Sequence, residues 1–318
     1  MKFLGSPLLF LASLCVTQGE WTYERCPVPR TRKNVLNLSR WERQEFFTAI
    51  KKIKSTGEYD VLVKQYMDVY QGIHGGNLYL PFHRHFLKRV EQSMQKYYPS
   101  VNLPYWDYTA DWAAPHFSPA LELMGYGGGN GRLKSCINDG PLKNFQMNVP
   151  EKRCVKRGYF KNEVVSAFMN EVALDNILKY SETFPKINSM LKGVNGMVTY
   201  PLGGDIRNVQ LMVNDPLYFL IQANTDRLWT RWQHLHPDHE IYMPDVELNP
   251  WKVQIKSIWR PSSKNMCYQY LNQVKERTEI DYWVELFDAY FRGSLRLARS
   301  LSPEISGLVV FWWFSYSK

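Results

Sequence analysis

Two stretches of the chain concentrate the side chains able to do chemistry. The first runs His74-Gly-Gly-Asn-Leu-Tyr-Leu-Pro-Phe-His83-Arg84-His85-Phe-Leu87, with Glu91 one helical turn further on. Its imidazoles are neutral donors near physiological pH, a ligand type that suits copper, zinc and iron. The second runs Asn214-Asp215-Pro216-Leu-Tyr-Phe219, continues through Gln222, and closes in Asp226-Arg227-Leu-Trp229. It carries no histidine. Of the 7 histidines in the chain, the others are His116 and the group His234, His236 and His239. That spacing serves either a small surface metal site or a solvated helix end, and the solvated end is the commoner outcome.

In order and spacing, the two stretches resemble the copper-A and copper-B segments of the tyrosinase and molluscan-hemocyanin family of binuclear copper proteins. Those segments read H-x4-[FY]-L-x-F-H-R-x2-L-x3-E and D-P-x-[FY]-F-x2-H-x3-D. The resemblance spans about Arg32 to Tyr270, including a closing Tyr-x-Tyr at Tyr268 and Tyr270. It implies a mainly α fold, an antiparallel helix bundle with long loops and little β-structure. It also implies two coppers, each held by three imidazoles. The pair binds dioxygen and oxidises phenols to quinones, or in carriers releases the oxygen again.

Aligned on these motifs, the ligand positions of the first half are Tyr66, His74 and His83. Tyr66 stands in Tyr59-Asp60-Val-Leu-Val-Lys-Gln-Tyr66, where the family reads Y-D-x-F-V-x2-H. In the second half they are Asn195 and Thr199, counted back from Gly203-Gly204, and Gln222, seven residues after Asp215. Histidine is left only at His74 and His83. Asn, Thr and Gln offer neutral donors that do not replace imidazole for Cu(I). The family implies copper, whereas these residues predict at most one ion, on His74 and His83 with a Tyr66 phenolate. The alternative is an empty site in which both imidazoles are satisfied by Asn195, Gln222 and water.

The expected protein therefore lacks phenol oxidase activity and acts by binding or structure. Its rival is a copper-dependent oxidoreductase of the tyrosinase or catechol oxidase type, using the residual His74/His83 site. A cleft ringed by Tyr79, Phe82, Tyr105 and Trp106 would take an aromatic small molecule, and a basic surface would take an acidic extracellular polymer. His85, two residues from His83, points off the metal face. Arg84, Glu91, Asp226 and Arg227 read as ionic braces of the helices.

The elements that must position these residues are helical by period. Ser39 to Lys54 opens on a capping-box pair, Ser39 and Glu42, and places Phe46, Phe47, Ile50 and Ile53 on one face. Further helices are predicted over Tyr59–Tyr70, His83–Tyr97, Glu163–Tyr180 and Pro216–His234. The stretch from Tyr108 to Pro150 reads as a long loop, and Val253 to Tyr270 as short strands. Residues 20–275 form the expected copper-binding-like domain. Residues 276–318 form a tail with an amphipathic helix (Ile280, Trp283, Val284, Phe287, Tyr290, Phe291) and an apolar end, Leu308–Phe314, that would bury as a strand or mediate oligomerisation.

Residues 1–19 read as a secretory signal peptide, with Pro7 and the lack of amphipathic period arguing against a core helix. Cys15 leaves with it. Four cysteines then remain in an oxidising compartment, with three pairings open; proximity favours Cys136 with Cys154, leaving Cys26 with Cys267. Asn37-Leu38-Ser39 is a glycosylation acceptor on that route. Apolar residues make up 45% of the chain and aromatics 15%, enough for a ring-lined core. The formal charge of +9 is spread along the chain, without the dense basic stripe of a nucleic-acid binder. No run is long enough for a membrane span.

Overall fold

The computed structural model describes residues 26–126, 134–159 and 165–271. The expected leader at 1–19 and the expected tail at 276–318 lie outside the described residues. The helices are α1 (Arg40–Ser55), α2 (Glu58–Met67), α3 (Tyr70–His74), α4 (Tyr79–Gln95), α5 (Pro119–Met124), α6 (Glu171–Tyr180), α7 (Phe184–Leu202), α8 (Pro216–Leu235) and α9 (Ile255–Ile258). The strands are short: β1 (Arg30–Arg32), β2 (Ser135–Cys136), β3 (Gln146–Met147), β4 (Arg153–Cys154), β5 (Lys156–Arg157), β6 (Glu247–Leu248), β7 (Val253–Gln254) and β8 (Tyr268–Tyr270). They pair only two by two, with β1 parallel to β8 and β2–β5, β3–β4 and β6–β7 antiparallel. The result is the mainly helical bundle with long loops that the sequence predicts.

Local chemistry explains the helix starts. The capping box at Ser39 and Glu42 forms on α1. Asp215 caps α8, its side chain accepting from the Leu217 N–H, with Pro216 preset for the first helical position. Thr183 caps α7 and Asn170 caps α6 in the same way. At the other end of α7, Pro201 and then Gly203 at φ 65° stop the helix. The next residue must be glycine, because a Cβ on Gly204 would stand 2.2 Å from the Lys156 carbonyl.

Helix α8 is the axis of the core, buried along nearly its whole length, and it packs against α4, α7 and α6. Helices α1 and α2 complete the wall around α4. Both expected disulfides form, Cys26–Cys267 and Cys136–Cys154, with Cα–Cα separations of 5.2 and 5.5 Å. The first ties the chain entering β1 to the chain entering β8.

Several element boundaries differ from the sequence expectation. The stretch Tyr59–Tyr70 is two helices, broken at Asp68 and Val69, so that α3 can deliver His74. Helix α4 starts a turn earlier than His83, at Tyr79. Helix α6 starts at Glu171; residues 165–170 before it are not helical, and 160–164 lie outside the described residues. Periodicity alone missed α7, whose two internal glycines and two prolines weaken the helical signal. The predicted loop from Tyr108 contains α5 and the pairing of β3, and α9 interrupts the strands after Val253.

Candidate functional site

Five helices bring the sequence-predicted site residues together. Tyr66 comes from α2, His74 from α3, His83 from α4, Asn195 and Thr199 from α7, and Gln222 from α8. The His74 and His83 rings lie 5.6 Å apart, and Tyr66 stands 6.1 Å from His83. Tyr66, His83, Asn195, Thr199 and Gln222 are all buried.

The hydrogen bonds fix how each imidazole is used. His83 Nδ1 lies 2.8 Å from the Tyr79 carbonyl. A carbonyl only accepts, so Nδ1 carries the proton and Nε2 presents a lone pair. The Tyr218 hydroxyl, 2.9 Å away, donates to that lone pair. The Tyr66 hydroxyl donates to the Val209 carbonyl at 2.7 Å, and therefore accepts from His74 Nε2 at 3.0 Å. Both Nε2 atoms thus end on a phenol.

The second half of the centre is an amide network. Gln222 Oε1 accepts from the Tyr79 hydroxyl at 2.8 Å and from Asn195 Nδ2 at 2.9 Å. Asn195 Nδ2 also reaches Thr225 Oγ1 at 3.1 Å. Thr199 Oγ1 donates back to the Asn195 carbonyl at 3.1 Å. The Gln222 Nε2 atom is buried with no hydrogen-bond partner.

Electrostatically the centre is neutral. Burial, followed by the neighbouring Lys192 ammonium, pushes the His74 imidazole down to about 4. Burial and then His74 hold His83 well below the ordinary histidine range. Burial likewise raises the Tyr66, Tyr79 and Tyr218 phenols, so no phenolate forms near neutrality.

Sequence reasoning expected Asn195 and Gln222 to satisfy the two histidines directly. The phenols do so instead, because a tyrosine on the same helix face reaches further than an amide. Tyr79 lines the centre as expected, whereas Tyr218 was missed; a signal exists for both, since each sits four residues before a site residue, His83 and Gln222, and so on the same helical face. Tyr105 and Trp106 do not line the site. Tyr105 stacks edge-on against Tyr270 at 5.6 Å and pairs with Asn34, while Trp106 packs on Phe168 at 5.9 Å. Both lie on the β1–β8 side of the bundle or beneath the following loop.

The other histidines stay outside the centre. His85 packs on Trp251 at 5.0 Å, off the site as expected. His116 packs on Phe117. His236 and His239 turn their Nε2 atoms to the carbonyls of Leu178 and Glu182, flanking Trp232. Among the described residues no group of three or more His, Cys, Asp or Glu side chains is placed to hold a metal ion.

The ionic braces form next to the centre. Asp226 accepts from Arg84 Nε at 2.6 Å and from the Tyr268 and Tyr270 hydroxyls at 2.5 and 2.6 Å. Glu91 takes Arg32 through both oxygens at 3.2 and 3.1 Å, and Arg227 reaches Asp107 at 2.5 Å.

The surrounding architecture is shared with known proteins. A polyphenol oxidase from Thermothelomyces thermophila superposes with a TM-score of 0.63 over 77% of this chain and 89% of its own, at 18% identity. A functional unit of octopus hemocyanin superposes with a TM-score of 0.51 over 76% of this chain and 68% of its own, also at 18% identity. In sequence, a tyrosinase of Streptomyces antibioticus is 29% identical over 256 residues, covering 69% of this chain and 92% of the relative. The tyrosinase-like protein tyr-3 of Caenorhabditis elegans is 27% identical over 239 residues, 69% of this chain but only 32% of that much longer relative. The common central domain of tyrosinase matches residues 41–235, which run from α1 through α8 and include every residue of the centre, and the chain belongs to the tyrosinase family.

Proposed function

We propose that this chain is a secreted tyrosinase-fold protein whose centre no longer holds a binuclear copper pair, and that it acts by binding rather than by oxidising phenols. The family implies copper. The observation that carries the reading is that both Nε2 atoms at the centre, on His74 and His83, are engaged by the phenols of Tyr66 and Tyr218. The remaining aligned positions, Asn195, Thr199 and Gln222, supply amide and hydroxyl groups bonded to one another or to the backbone, with Gln222 Nε2 the one amide nitrogen among them left without a partner. Two coppers do not fit such a donor set, since Cu(I) favours imidazole and sulfur over neutral oxygen. A mononuclear site with a Tyr66 ligand is disfavoured too, because that hydroxyl is already held between the Val209 carbonyl and His74 Nε2.

The test is metal analysis of full-length, copper-supplemented protein, together with catechol turnover. The expected result is copper near zero per chain and no turnover above a His74→Ala/His83→Ala control. Two coppers per chain with turnover would overturn the reading, and one copper with turnover lost in the control would restore the residual-site oxidoreductase.

A further inference from the structure

The approach to α1 carries an exposed polar group that the fold does not use. Asn37 is the one asparagine of the chain in an Asn-x-Ser/Thr triplet, the acceptor pattern of N-linked oligosaccharides. It closes the short 3-10 helix Val35–Asn37, just before the cap of α1. The polar side chains around it are committed: Asn34 Oδ1 accepts from the Leu36 N–H at 3.3 Å, and Ser39 Oγ from the Glu42 N–H at 3.2 Å. The Asn37 carboxamide is exposed and makes no hydrogen bond among the described residues. Leu38 and Ser39 are extended, so the triplet stands off the end of α1 rather than inside it. A sugar on Asn37 therefore leaves the capping box intact, because Ser39 and Glu42 alone form it.

Trp41 is the independent observation. It is 69% exposed, more than any other aromatic side chain among the described residues. Leaving so large an apolar ring in water is unfavourable unless something covers it. It stands in the first turn of α1, where side chains lean toward the helix N-terminus, so its indole is directed at the turn that carries Asn37. Leu36 and Leu38, half-buried on the core, flank Asn37 in the same turn.

We propose that Asn37 carries an N-linked oligosaccharide whose N-acetylglucosamine core packs on the Trp41 ring. The ring face is negative by its quadrupole and suits the C–H face of a sugar. The donor is a polyprenyl-diphosphate-linked oligosaccharide. The bond from sugar C1 to the diphosphate oxygen breaks, the bond from C1 to Asn37 Nδ2 forms, Nδ2 gives up one proton, and the diphosphate leaves. No oxidant or reductant enters. The proposal rests on the secreted reading above, because that donor is met on the secretory route.

The experiment is expression of the full chain, residues 1–19 included, in a eukaryotic secretory host, with mass spectrometry of the cell and medium fractions. Medium protein should have lost the leader. Peptide-N-glycosidase should remove the mass of one oligosaccharide from it and convert position 37 to aspartate. Asn37→Gln should abolish that mass loss, and Ser39→Thr, which keeps both the triplet and the cap, should retain it. Hydroxyl radicals should oxidise Trp41 severalfold more slowly in the glycosylated chain than in Asn37→Gln. The glycosylated chain should melt about 2–4 °C above Asn37→Gln, and Trp41→Ser should erase that gap. Secreted protein without a sugar at Asn37, equal oxidation of Trp41 in both chains, or a gap that is absent or survives Trp41→Ser would each overturn the proposal and leave secretion standing. Protein retained in the cell with residues 1–19 uncleaved would overturn the secreted reading, and this proposal with it. The three variants change exposed side chains only, so the comparison does not hinge on a core substitution that fails to fold.

Discussion

Helices α4 and α8 carry two buried polar clusters about one turn apart, and the two differ in kind. On one side His83 and Gln222 join a neutral set of phenols, imidazoles and amides. On the other, Arg84 and Asp226 join Arg32, Glu91 and the Tyr268 and Tyr270 hydroxyls in a charged set. No buried atom of Arg32, Arg84, Glu91 or Asp226 lacks a partner, whereas Gln222 Nε2 does. The contrast separates scaffold from chemistry. The charged set clamps β1, β8, α4 and α8 together whatever stands at the centre, so the ligand positions can change their chemistry while the bundle keeps its packing.

Breaking the charged set should have the largest effect. Asp226→Asn removes the one anion that faces Arg84 among the described residues and leaves that guanidinium buried with a neutral partner. Uncompensated buried charges cost about 3–5 kcal/mol, a large share of an ordinary domain's stability. The expected outcome is a sharp drop in urea midpoint. A loss below about 1 kcal/mol would show that the charged set is not the clamp.

Acid should distinguish the two clusters next. His74 and His85 are each pushed down to about 4, His74 by burial and Lys192, His85 by burial and Arg89, and His83 moves the same way. A histidine whose folded pKa is depressed contributes stability that is complete above its unfolded pKa near 6.5 and is lost as pH falls toward the folded value. The slope is at most about 1.4 kcal/mol per pH unit for each group. Glu91 is lowered in the folded state, where its attraction to Arg32 outweighs its burial, so its contribution is lost only below about 4.3. Denaturant titrations should therefore show stability falling from pH 6.5 to 4.5 through the histidines alone, with His74→Gln flattening that limb. A flat profile over this interval would contradict the neutral, buried centre.

The two clusters were not equally legible in the sequence. Arg84, Glu91, Asp226 and Arg227 stand inside fixed motifs, and opposite charges in a buried bundle have few options but one another, so their braces were readable. Tyr66, Asn195, Thr199 and Gln222 were also found, because motif spacing carries them onto α2, α7 and α8. The partner of His83, Tyr218, was not, since a hydrogen bond depends on how far a side chain reaches, and spacing does not record that. The same limit misplaced Tyr105 and Trp106, which adjoin a motif in sequence, but Tyr105 is bonded to Lys33 and Val35 beside β1 and the Trp106 N–H to the Leu220 carbonyl of α8. Helix α7 was invisible to periodicity because its glycines and prolines suppress propensity, while tertiary packing on α8 holds it helical.

The smallest expected effect tests the neutral cluster from within. Thr199 is buried on α7, and its hydroxyl donates only to the Asn195 carbonyl of its own helix at 3.1 Å. That carbonyl is one turn back along α7, so removing the hydroxyl strands no partner, and a side-chain bond of this type adds little to a helix. Thr199→Val keeps the branched shape and exchanges a self-satisfied hydroxyl for a methyl. Thermal denaturation should place it within about 0.5 kcal/mol of the parent chain, in either direction. A loss above about 2 kcal/mol would mean that the hydroxyl holds something beyond its own helix. The second half of the centre would then be an organised site, and its contrast with the charged set would weaken.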